Sequence, residues 1–278
     1  MARQYYSMRK NPVKKLDLDN LKRMFLAVFH DFMAREYFSE QFGYCCVDQG
    51  DVPGKAGHDL KNYILRNLRK ENLWPIDDNY GAYQEDDLFD VIEFLFDHIS
   101  KPIDGTYHSY NNCGTHYTTF NKPIGQKEFR VEMNELLKDY QDGYELSETG
   151  EMLSMGVSGA ENLLKAKLPT YDVENVDKKV NEAIVRFRRY RSSITDRKHA
   201  VRDLADVLEF LRPEIKRVIN KKDEGDLFNI VNNFSIRHHE KNQKKEYDQA
   251  IWLSWMLYFY LATIHTVLHL IKSLKFKQ

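Results

Sequence analysis

The chain is poor in the residues that make tight turns and covalent frameworks. Thirteen glycines and seven prolines punctuate 278 residues. That scarcity argues against an all-β fold, which needs a turn every few residues. Three cysteines, two of them adjacent at Cys45-Cys46, make no disulfide framework, and reduced thiols in a cytosolic protein are the simpler expectation. The formal net charge is −1, so affinity for nucleic acid has to come from a local basic patch rather than a global field. Internal repeats and low-complexity segments are lacking as well. Residues 1–15 are polar and basic without the apolar centre of a secretory signal, so they read as an arm or linker and the expected location is cytoplasmic.

What the chain does have is globular. It is 42% hydrophobic, 30% charged and 13% aromatic, and long enough for one large or two ordinary domains with real cores. Its dominant pattern is helical, with apolar residues three or four apart. Leu21, Phe25, Val28 and Phe32 follow the capping candidates Asp17 and Asp19. Leu60, Ile64 and Leu68 form a second face, and Leu88, Ile92, Leu95 and Ile99 a third. Phe129, Met133, Leu136 and Leu137 form a fourth, while residues 42–44 and 50–54 read as loop. Glycines flank short alternating segments over residues 142–153, which predicts a small hairpin. Beyond it, helices are expected over residues 158–168, 175–191, 195–211 and 223–234, with Pro213 ending or kinking the third, and a last one starting near Tyr247. The expected architecture is mostly all-α. A helical N-terminal domain with a small hairpin occupies residues 1–157, and a helical bundle occupies residues 158–278.

Four clusters invite chemistry. His108, Cys113 and His116 lie close together in an aromatic-rich stretch and are a possible ligand set. Paired Cys-x-x-Cys or His-x-x-x-His spacing is missing, so the simpler reading is an irregular loop or strand with no metal and no cofactor. Arg186, Arg188, Arg189, Arg191, Arg197, Lys198 and Arg202 are opposed only by Asp196. They suit either phosphate neutralisation, with Arg186, Arg189, Arg197 and Arg202 as contacts, or a solvated helix end whose cations match the dipole. The run from Gln249 to Ile271 carries no charged side chain and is long enough to span a membrane. Its serine, threonines and histidines, and the apolar stripes of the other helices, favour a buried core helix instead. His265 and His269 share one of its faces but lack the glutamate of a His-Glu-x-x-His site. The fourth cluster is Arg237-His238-His239, placed just before that helix. Arginine can clamp a phosphate bidentately, and histidine titrates near neutrality and can move a proton. Together they suffice to orient a 2′-hydroxyl and stabilise a charged phosphorane. The alternative is structural, with Arg237 paired to Asp223, Glu224 or Asp226.

The blocks Asp223 to His239, Gln243, Tyr247-Asp248, Trp252 to His265 and Asp196 to Glu209 resemble the C-terminal domain of abortive-infection (AbiJ-like) proteins of the HEPN superfamily. The resemblance covers about residues 158–278. It implies a dimeric helical bundle and a metal-independent endoribonuclease of a prokaryotic antiviral defence system, acting as a toxin on RNA. It also implies a composite site at the dimer interface, with Arg237, His238 and His239 as its catalytic residues. A phage-derived trigger or partner protein is expected, and no membrane. Arg237-His238 matches the start of the family motif. The distal histidine is replaced by Asn242, Gln243 or Lys244, so His239 stands in for it or the domain is a catalytically inactive binding or sensor module. Arg23 and His30 match the bare spacing, but Met24 is apolar where the motif is polar.

Overall fold

The computed structural model describes residues 15–156, 160–233 and 248–275. The chain is mostly helical and divides into two compact units between Ser154 and Met155. Among the described residues there are eleven α-helices and three two-stranded antiparallel hairpins, so the helical expectation holds and strand content exceeds it.

The first unit opens with α1 (Leu18–Ala34), capped by the Asp17 carboxylate, which accepts from the Asn20 amide at 2.8 Å. Its buried stripe is Leu21, Phe25, Phe29 and Phe32, so Phe29 replaces the expected Val28. A short α2 (Ser39–Phe42) leads into a hairpin of β1 (Tyr44–Cys46) and β2 (Gly50–Val52). Helix α3 (Leu60–Leu68) stops at Arg69, whose left-handed φ of 57° ends the helical geometry. After α4 (Ile76–Asn79) comes α5 (Glu85–His98), which buries Leu88, Ile92 and Leu95. Strands β3 (Lys101–His108) and β4 (Gly114–Asn121) form the longest hairpin. Helix α6 (Lys122–Leu137) buries Phe129, Met133 and Leu137, and the hairpin of β5 (Tyr144–Leu146) and β6 (Met152–Ser154) closes the unit where a hairpin is expected.

Rings dominate this core. Phe32 meets Tyr37 edge-on at 5.0 Å and Phe129 at 5.4 Å, and Phe38 stacks on Phe42 at 5.3 Å. Each such pair adds about 0.5–1.5 kcal/mol beyond its area burial. Strands β3 and β4 sit outside that logic. Neither contains a buried residue, so neither shows the alternation that marks a half-buried strand. The backbone ladder holds them, with help from Gly105, whose neighbour across the ladder is Tyr117.

The second unit contains α7 (Glu161–Leu164), a π-helical turn at Val173–Asp177, α8 (Lys178–Arg188), α9 (Ile194–Val218), α10 (Lys221–Asn233) and α11 (Gln249–Lys275). Helix α9 starts in a reciprocal cap. The Ser193 hydroxyl accepts from the Asp196 amide at 3.1 Å, and the Asp196 carboxylate accepts from the Ser193 amide at 3.2 Å. Pro213 does not end it. The helix runs five residues further, to Val218, and Ile215 is fully buried. Helices α8, α9 and α11 pack together. Their core includes Val180, Ala183, Val201, Leu204, Leu208, Leu211, Leu257 and Ile264. Leu253, Met256, Tyr260, Val267 and Ile271 are buried too, while Ile251, Trp252, Trp255, Leu270 and Leu274 are exposed. Helix α11 is thus two-faced, and it is long and apolar enough to cross a membrane by length and composition alone.

A Cβ on Gly105 would fall against the His116 carbonyl and 2.6 Å from Tyr117 Cα, whereas one on Gly81 would meet nothing within 4 Å. Gly105→Ala is expected to destabilise the protein by about 1–3 kcal/mol in urea unfolding. Gly81→Ala should stay within about 0.5 kcal/mol of the parent.

Candidate functional sites

The β3–β4 hairpin determines where its histidines stand. His108 pairs with Gly114 and Thr106 with His116. The two histidines are therefore diagonal neighbours on one face of the ladder, with ring centroids 5.2 Å apart. The connecting loop turns on two left-handed asparagines, Asn111 (φ 47°) and Asn112 (φ 55°), followed by Gly114 at φ 103°. This tight turn brings the Cys113 thiol to 3.2 Å from His116 Nε2. A fourth group arrives from the β1–β2 hairpin. Cys46, only 2% exposed, lies with its Sγ 3.8 Å from His108 Nδ1. The donor atoms of Cys46, His108, Cys113 and His116 all lie within 4.8 Å of one another. The other nitrogen of His108, Nε2, is 3.1 Å from the Asp48 carboxylate in the β1–β2 turn.

The sequence stretch 107–117 thus forms a hairpin with a folded tip, and three of the four clustered residues are the trio noted there as a possible ligand set. Cys46 and Asp48 escaped that reading. Cys46 stands 62 residues before His108, and only the folded arrangement of two hairpins brings them together. The neighbouring Cys45 is exposed and belongs to no such group among the described residues.

A charged network fixes the start of the same hairpin. Glu128 on α6 accepts from Lys101 at 2.7 Å and from Tyr37. Arg35 reaches the same carboxylate at 3.4 Å and Asp31 at 2.8 Å.

In the second unit the basic cluster lies on the last turn of α8 and the first turns of α9, and its members have different duties. Arg186 is half-buried and paired with Asp203 at 2.5 Å, so it ties α8 to α9. Arg188 is buried. Arg197 lies over the Phe187 ring at 5.3 Å, and its buried Nε has no hydrogen-bond partner among the described residues. Arg189, Lys198 and Arg202 are exposed. Of the four expected phosphate contacts, Arg189 and Arg202 therefore face solvent, Arg197 partly so, and Arg186 holds the helices together.

Arg237, His238 and His239 lie outside the described residues, between α10 and α11. Two of the carboxylates considered as structural partners for Arg237 already have others. Glu224, 7% exposed, accepts from Arg212 Nε at 2.6 Å, and Asp223 accepts from the Asn220 side chain at 2.6 Å. The His265 and His269 rings lie 4.5 Å apart and tilted by 49° on α11, and no third ligand joins them among the described residues. No family model matches the chain, nor does any curated protein or solved structure.

Burial raises the Glu128 carboxyl, but the hydrogen bonds from Lys101 and Tyr37 outweigh it and hold the group below its ordinary value of about 4.5. A depressed native pKa contributes stability that is present above the unfolded value and lost as pH falls through the folded one. Glu128→Gln should therefore cost more stability at pH 7 than at pH 3, read as the shift in urea midpoint at each pH.

Proposed function

We propose that the chain is a cytoplasmic, homodimeric endoribonuclease of the HEPN type, acting in antiviral defence and needing no metal for the cleavage itself. The observation that carries this reading is the gathering of Arg189, Arg197, Lys198 and Arg202 at the α8–α9 turn of a helical unit. Phosphate contacts supply most of the affinity of a protein for RNA, and exposed arginines and lysines are the groups that make them. The HEPN-like pattern Arg237-His238-His239 lies in the same unit. In this proposal Arg237 binds the scissile phosphate and stabilises its developing charge. His239, with His238, moves the proton of the attacking 2′-hydroxyl. A second copy of the chain supplies the other half of the site.

A second reading is favoured by one feature of the sequence. Asn242, Gln243 and Lys244 stand where a distal histidine would be. On this reading the domain binds a phage component or another effector without cleaving RNA.

Incubation of purified protein with a mixture of tRNA and mRNA separates the two. Cleavage by the parent should fall at least about 100-fold in Arg237→Ala, because removing one group that stabilises the developing charge costs about 10²–10³. Equal cleavage by both would sink the nuclease assignment. Defence that survives the double change Arg237→Ala and His239→Ala would favour binding. Arg202→Ala should weaken RNA binding across sequences and lower the slope of log K against log salt by about 1.

A further inference from the structure

We infer that the first unit holds a structural zinc ion, ligated by Cys46 Sγ, His108 Nδ1, Cys113 Sγ and His116 Nε2. The inference rests on the first unit alone and is independent of the nuclease reading.

Zinc binds thiolate sulfur at about 2.3 Å and imidazole nitrogen at about 2.0–2.1 Å, with tetrahedral angles. Those lengths make the sulfur–nitrogen edges of the tetrahedron about 3.6 Å and the sulfur–sulfur edge about 3.8 Å. The two measured sulfur–nitrogen separations, 3.2 and 3.8 Å, bracket the first value. No pair of donor atoms is further apart than 4.8 Å, so the cage needs to close by only about 1 Å. The set is two sulfurs and two nitrogens, the chemistry that selects zinc over the oxygen-preferring magnesium and calcium.

Three further observations agree. The carboxylate of Asp48 faces the nitrogen of His108 that points away from the cluster. Metal-bound histidines commonly donate that second N–H to a carboxylate, which fixes the tautomer and strengthens the ligand. Charge balances as well. Two thiolates neutralise a dication, which lets Cys46 be ionised although it is buried. Finally, all four positions are filled by protein groups, which marks a closed structural site rather than a catalytic one with room for water.

The ion would fasten the β1–β2 turn region to the tip of β3–β4. Each hairpin has only two strands, an arrangement that is marginally stable without outside help. Binding would release the thiol protons, and its free energy would appear as folding free energy of this region.

The test is metal analysis of the full chain purified from zinc-containing medium, with any affinity tag removed. About one zinc per chain is expected. Replacement by Co²⁺ should give the visible bands of a tetrahedral site together with sulfur-to-cobalt charge transfer. Cys113→Ala and His116→Ala should lose the ion, and Cys45→Ser should keep it. Asp48→Asn, which leaves all four ligands in place, should weaken zinc binding about 10- to 100-fold in a chelator competition. Zinc removal should speed amide exchange in residues 44–52 and 101–121 and leave the helices α8, α9 and α11 unchanged. Folded parent protein with less than about 0.1 zinc per chain after zinc supplementation would overturn the assignment. So would a Cys46–Cys113 disulfide in its intact mass, or loss of the metal from Cys45→Ser.

Discussion

The register of β3 against β4 is the constraint on which the arrangement of the first unit's reactive groups depends. With Thr106 opposite His116 and His108 opposite Gly114, both imidazoles share a face. A slip of one residue would turn one of the two strands over and send its histidine to the other side. The slip is resisted at both ends of the hairpin. Lys101, the first residue of β3, is tied to Glu128 on α6, and the Tyr110–Asn112 turn closes the tip. Gly105 lets the strands approach at a point where any side chain would strike the opposite backbone.

Much of the helical architecture was legible because burial follows a period of 3.6. The stripes through Leu88, Ile92 and Leu95 and through Val201, Leu204, Leu208 and Leu211 are buried as the spacing requires. The sequence was less informative where something other than apolar burial decides the conformation. Strands β3 and β4 are half-wet on both faces and carry no alternation to read. Pro213 left an end or a kink open, and packing of Leu211 and Ile215 on either side of it carries α9 through. The candidate metal cluster was three-quarters visible. His108, Cys113 and His116 lie in one short stretch that lacks ligand spacing and reads as an irregular loop or strand, while Cys46 comes from a hairpin of which only the flanks, 42–44 and 50–54, read as loop.

Charge in the second unit is sorted by depth rather than by sequence position. Arg186 and Arg212 each engage carboxylates that pack against helices, Asp203 in one case and Glu224 with Glu209 in the other. Arg212 also covers the Phe228 ring at 4.2 Å. Read along the chain, Arg186 and Arg202 look equivalent. In three dimensions one is a brace between helices and the other projects into water.

Helix α11 carries no carboxylate, ammonium or guanidinium from Gln249 to Ile271, and its exposed side is aromatic near one end. The α8–α9 turn carries several cations on its exposed side. These two surfaces of one unit answer oppositely to dissolved ions. Added salt screens the arginines within a Debye length and leaves contacts at the uncharged face intact or strengthened. Rising ionic strength therefore weakens electrostatic attraction at the α8–α9 turn without weakening apolar contact at α11.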